Sequence, residues 1–192
     1  MVHGLLLALL AMPAASQSLP PSSPSRSADA VARPSTLSDL FARLAAAKDA
    51  EEANGIASLI ERRLDRSGSD TADLLMTRAG EALEKKDAAL AVELMDRVVE
   101  LRPDWAQAWN RRASAFYLLD DPVRAIADLG QALAREPRLY DAMDSLGRLQ
   151  LAAGDEKLAL KVFRKALSVH PFLKGAREIV DRLTVQVDGR DL

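Results

Sequence analysis

The chain has 192 residues, 48% of them hydrophobic and 28% charged, with 26 Lys and Arg against 28 Asp and Glu, two histidines and no cysteine. A net charge of −2 argues against the strongly basic surface that a phosphate backbone demands, and the missing cysteines exclude disulfides and lipidation at a processing site. Aromatic residues at 4% suit alanine- and leucine-rich helices better than a β-sandwich.

The first segment reads as an address. Leu5 to Met12 is an apolar run of signal-peptide size, followed by the small residues Ala14, Ala15 and Ser16. The expectation is a signal over residues 1–16, cut after Ser16, and a periplasmic or secreted destination, although Met1 to Gly4 contribute no Lys or Arg. A membrane span needs about 20 apolar residues, so this run is too short and no span is expected in the mature chain. Residues 17–35, with Pro20, Pro21, Pro24 and Pro34 among serines, have no apolar period and read as a disordered linker.

Regular structure is predicted from Thr36. Leu37, Leu40, Phe41 and Leu44 follow the i, i+3, i+4, i+7 pattern, and Thr36 with Asp39 matches a capping box. A second helix is predicted from Asp49 to Arg66, with Ile56, Leu59, Ile60 and Leu64 on one face. It stops at Ser67, Gly68 and Ser69, and Asp70 is expected to cap the third helix. Residues 36–69 therefore read as a helical hairpin, a diverged unit expected to cover the first of a set of repeats.

Pro103, Pro137 and Pro171 stand 34 residues apart. The same shift aligns Leu75, Trp109 and Met143; Ala79, Ala113 and Gly147; Ala91, Ala125 and Ala159; Met95, Leu129 and Phe163; and Val98, Ala132 and Ala166. Each column keeps its apolar character, which marks a tandem repeat. Within residues 106–139, Trp109, Ala113 and Phe116 lie on one face of a first helix. Ala125, Leu129, Ala132 and Leu133 lie on one face of a second. Asp121 is placed to cap the second helix and Pro122 suits its first turn, with Asp87 and Asp155 at the same register in the neighbouring units. The proline that closes each unit has no amide hydrogen and turns the chain onward. Trp109 is expected in the core, and Trp105 is expected to pack as well.

These residues resemble the tetratricopeptide repeat. The unit 106–139 fits best, through Trp109, Ala113, Phe116, Ala125, Leu129, Ala132 and Pro137. The unit 140–173 comes second, with Leu146, Gly147, Gly154, Ala159, Phe163, Ala166 and Pro171, where Gln150 replaces the usual aromatic. The unit 72–105 is more degenerate, with Ala82 at that position. The resemblance implies an all-α, right-handed α-solenoid of helix-turn-helix repeats. A capping helix is predicted over residues 174–185, where Ala176, Ile179, Val180 and Leu183 form one stripe, and residues 186–192 read as a frayed tail.

Asp73, Met76, Gly80 and Leu83 fall roughly 80–160° around the first helix from the Leu75, Ala79, Ala82 stripe. The resemblance implies that this side lines a concave groove. Shifted by 34, the same stripe becomes Gln107, Asn110, Ser114 and Tyr117, then Asp141, Asp144, Arg148 and Leu151. Three helices about 10 Å apart make a trough that accepts an extended peptide of about six to nine residues. Leu83, Tyr117 and Leu151 suit inter-repeat packing equally well. The carboxylate clamp that some family members use on chaperone C-termini has only Asn110 and Arg148 as candidates here, beside several aspartates, and is rejected.

Catalytic patterns are missing from the sequence. His3 and His170 cannot make a metal centre or a triad, no glycine-rich phosphate loop is present, and no cofactor is implied. The expected function is that of a non-enzymatic adaptor holding a peptide or protein segment in the concave groove, with no nucleic acid as partner. The alternative is a structural subunit that self-associates or docks into an envelope complex through its convex face or terminal helices.

Overall fold

Side-chain caps start six of the helices. In the computed structural model, which describes residues 35–189, Thr36 opens α1 (Leu37–Ala45) by accepting from the Asp39 amide at 3.1 Å, while Asp39 accepts from the Thr36 amide at 2.9 Å. Asp49 caps α2 (Ala50–Leu64). Asp87, Asp121 and Asp155 cap α4 (Ala88–Leu101), α6 (Pro122–Arg135) and α8 (Glu156–Val169), each accepting from the amide three residues on at 3.0 Å. Ser69, rather than the expected Asp70, receives the amide at the start of α3 (Asp70–Glu84), and Asp70 sits inside the first turn. The remaining helices, α5 (Ala106–Leu118), α7 (Tyr140–Ala152) and α9 (Ala176–Asp188), begin without a side-chain cap. No strand occurs among the described residues. The signal segment and residues 17–34 of the expected linker lie outside them.

The repeats close because one side of each hairpin is small. Ala79, Ala91, Ala125, Ala132, Ala159 and Ala166 have no solvent exposure, which lets α3 and α4, α5 and α6, and α7 and α8 approach closely. The fit is compensated unit by unit. Ala79 and Ala113 are matched by Met95 and Leu129, but Gly147 stands where the second helix carries the larger Phe163. A Cβ placed on Gly147 would lie 2.7 Å from the Phe163 ring, which is fully buried. Positive φ also recurs at the 34-residue interval, at Lys86 (62°), Asp120 (57°) and Gly154 (81°), where each inner helix turns into its partner. Between the first two units, Arg112 on α5 forms ion pairs with Asp128 on α6 at 2.7 Å and Asp96 on α4 at 2.8 Å. Its guanidinium also lies 5.0 Å from the Trp109 ring centroid. Trp109 itself is partly buried, packed against the cores of both units.

The hairpin α1–α2 does not cover the first repeat as expected. Leu74 is 54% exposed, whereas Ala108 and Ala142, its counterparts one and two repeats on, are fully buried by the preceding unit. The hairpin lies instead along the edge where each second helix hands over to the next first helix. Leu40, Phe41, Leu44, Ile56 and Ile60 pack there with Tyr140, and Val169 and Leu173 flank them. Arg138 stacks over the Phe41 ring at 4.4 Å and donates to the Ser38 hydroxyl at 3.2 Å. Leu59, expected on the apolar face, is 40% exposed because Ala53, Ile56, Ala57 and Ile60 make the contact face of α2. At the other end α9 runs to Asp188, past the expected limit at residue 185. Val187 is 5% exposed in the core that includes Phe163 and Leu183, so residues 186–188 continue the helix rather than fray.

The Gly147 contact carries a stability prediction. Gly147→Ala overpacks the ring and is expected to lower stability by about 1–3 kcal/mol, read as a fall in the chemical-denaturation midpoint. Adding Phe163→Leu recreates the alanine–leucine pairing of the preceding unit, so the double variant should be no less stable than Phe163→Leu alone. Strictly additive losses would refute the compensation.

Candidate functional site

The inner helices α3, α5 and α7 present the eleven residues expected in the groove, and the structure divides them by height. Near the start of these helices α2 takes up the space. Gln107 is 6% exposed and donates through Nε2 to Asp65 at 3.4 Å, while Arg111 donates to the same carboxylate at 2.6 Å. Asn110 donates to Gln107 Oε1 at 3.2 Å. Asp73 accepts from the Ser67 amide at 3.0 Å, and its hydrogen bonding with Ser67 holds it below the usual carboxylate range. Met76 is 5% exposed and belongs to the core of the first unit, because the turn of α3 directs it inward. Leu83 and Leu151 are partly buried against that core and the last one respectively.

Toward the far ends of α5 and α7 the groove is open. Ser114, Tyr117 and Arg148 line a cleft of about 170 Å³ whose walls and floor include Ala113, Leu129, Leu149 and Ala152. That is below the roughly 300–1,000 Å³ of small-molecule sites and closer to the size of one side chain. Tyr117 is 62% exposed. Asp144 holds Arg148 from below through two bonds, at 2.7 and 3.2 Å, which raise the guanidinium pKa further. Three of the eleven expected residues therefore meet at the open cleft. The sequence reading missed Ser145, Leu149 and Ala152, which stand at i, i+4 and i+7 on the flank of α7 that faces α5. A groove between two helices is lined by facing flanks, whereas a shifted stripe samples the same flank of each.

Asp141 sits in the covered half and has no ion-pair partner among the described residues. Burial first, then the carboxylates Glu61, Asp144 and Asp65, push its pKa up to about 6. A carboxyl whose folded pKa is raised binds its proton more tightly in the folded state. The stability it contributes is present below pH 4 and lost as pH rises through about 6. Asp141→Asn should accordingly be more stable than the parent at pH 7, by about 1–3 kcal/mol, and lose the advantage toward pH 4. Denaturation midpoints across this range test it, and parallel curves for the two proteins would contradict the assignment. No group of three or more His, Asp or Glu among the described residues is arranged to hold a metal ion. No described helix is long and apolar enough to cross a membrane.

No family model matches the chain. A TPR repeat-containing protein of Rhizobium etli is 31% identical over 153 residues, covering 80% of this chain and 75% of that protein. Among solved structures, the first TPR domain of Spaghetti (RPAP3) bound to the HSP90 peptide SRMEEVD superposes with a TM-score of 0.59 at 18% identity, covering 62% of this chain and 95% of that one. The TPR2B domain of yeast Sti1, in a complex with pHsp70, gives a TM-score of 0.55 at 25% identity, covering 64% of this chain and 99% of that one. The helical hairpins, the 34-residue register and a similarity that spans most of both chains converge on one conclusion: the chain belongs to the tetratricopeptide repeat family.

Proposed function

We propose that the protein is an interaction adaptor that holds an extended segment of a partner protein across the open half of its groove. The observation that carries this reading is the cleft between α5 and α7. It has an apolar interior for one side chain and polar groups at its mouth. Arg148 spends its Nε and one terminal nitrogen on Asp144, which leaves its other terminal nitrogen to donate to a peptide carbonyl. Tyr117 offers a ring face and a hydroxyl beside it. Solved relatives of the same fold carry peptides of HSP90 and a pHsp70 partner, which supports the class of ligand.

The charge of this groove argues for a different sequence from that acidic HSP90 peptide. Glu61, Asp65, Asp141 and Asp144 crowd its covered half, and Asn110 is already engaged with Gln107. An acidic C-terminus would meet repulsion rather than a clamp. A contact of this size is expected to bind at about micromolar Kd, roughly 8 kcal/mol.

In-cell cross-linking from positions beside the cleft should capture a partner, and the Tyr117→Ala, Arg148→Ala double variant should lose it while remaining folded by circular dichroism. If the captured partner is unchanged in the folded variant, the convex face or the terminal helices carry the interaction instead. The address is proposed from residues 1–16: the adaptor works outside the cytoplasm. A C-terminal reporter active only outside the cytoplasm should light up with the full chain, and a silent reporter would overturn the address.

A further inference from the structure

A second cleft, separate from the open groove, lies where α2 crosses the start of α7 and the turn after α8. It measures about 320 Å³, and Glu61, Tyr140, Asp141, His170 and Lys174 are among its lining residues. Two of these are polar side chains buried without a well-formed hydrogen bond at one polar atom each. Tyr140 is 3% exposed and its hydroxyl is left so; His170 is 4% exposed and its Nδ1 is too. Burial, then the Asp141 and Glu61 carboxylates and the approach of the hydroxyl as a donor to Glu61, raise the Tyr140 pKa, which keeps the hydroxyl protonated and its oxygen lone pairs open to a donor. The two rings meet edge to face, with centroids 5.0 Å apart, so each fixes the other's position. Burying such groups without a good partner is costly, and in most folds a partner or an occupant removes that cost.

The charges around them are also unbalanced. Asp65 has Arg111 at 2.6 Å, and Asp144 has Arg148 at 2.7 Å. Among the described residues Glu61 and Asp141 have no ion-pair partner, although each acts electrostatically on the other. Lys174 lines the same cleft but is exposed at its rim, and among the described residues it forms no ion pair with Asp141. Acceptors therefore converge on this cleft: two carboxylates, the Tyr140 oxygen and a neutral imidazole, whose pKa burial lowers. Such a set has one complementary chemistry, a group with positive charge and several N–H donors.

We infer that this cleft receives the cationic end of a basic side chain, a guanidinium or ammonium group presented by an Arg or Lys of a partner protein. Glu61 and Asp141 hold the charge, and the Tyr140 hydroxyl and His170 Nδ1 accept its remaining N–H groups. The site is built jointly by the N-terminal hairpin and the last repeat, so occupancy ties these two parts together.

Amide chemical-shift titration of the full chain with three blocked tripeptides, glycine-flanked arginine, lysine and glutamine, tests the inference. The arginine or lysine peptide should shift the amides around Glu61, Tyr140, Asp141 and His170 saturably, with the stronger of the two naming the preferred cation, while the glutamine peptide leaves them in place. Glu61→Gln with Asp141→Asn should weaken binding at least fivefold. Both substitutions remove uncompensated charge, so the variant is expected to remain folded, and its spectrum checks that. Equal shifts with all three peptides, or a change in Kd below fivefold, would overturn the site. Tyr117→Ala should leave these shifts intact. If it abolishes them, the cation binds in the open groove, and this inference falls while the groove reading stands.

Discussion

The contact between the end of α2 and the start of α5 sets what every other surface can do. The Trp105 indole donates to the Leu64 carbonyl at 2.6 Å, and Arg111 reaches Asp65, the residue that ends α2. A helix C-terminus leaves carbonyls without partners and carries a partial negative charge, so an indole N–H and a guanidinium are suited to that end. Once α2 is pinned there, its apolar face lies against Tyr140 and α1 lies beneath Arg138. The front of α3 is left open, and the lower half of the groove is filled by the chain's own residues.

That placement divides one inner surface into two chemistries. In the covered half, removal from water and the approach of like charges raise the energy of ionised Asp141. In the open half an apolar floor meets a cation already oriented by Asp144. Both halves lie along α5 and α7, and they differ because α2 covers one and leaves the other open. A ligand that engaged both would need an apolar residue for one and a basic residue for the other.

The stack beneath is held by contacts matched in size and charge. Phe163 is accommodated by the absence of a Cβ at Gly147. Asp128, 5% exposed, is tolerated because Arg112 pairs with it through two hydrogen bonds, at 2.7 and 2.8 Å, while stacking on Trp109. Such a pair adds little net stability over a well-packed apolar one. It nevertheless ties α5 to both neighbours, to Asp96 on α4 and Asp128 on α6.

The repeat register, its caps and its small-residue columns were legible in the residues themselves, down to Asp87, Asp121 and Asp155. Those features arise from contacts within a hairpin or between successive hairpins, and translation by 34 residues copies them along the chain, which leaves a period to read. The site was legible only in part. Ser114, Tyr117 and Arg148 were placed by the register, whereas the burial of Gln107 and the crowding at Asp141 were not. Those depend on where α1 and α2 come to rest, through contacts that span 41 residues from Leu64 to Trp105 and 100 from Ser38 to Arg138. Contacts made once, between segments so far apart, repeat nothing and leave no period. The sequence by itself determined that hairpins would stack; only the tertiary structure decided which half of their inner face stays open, because that depends on complementary surfaces meeting in space rather than on any local pattern.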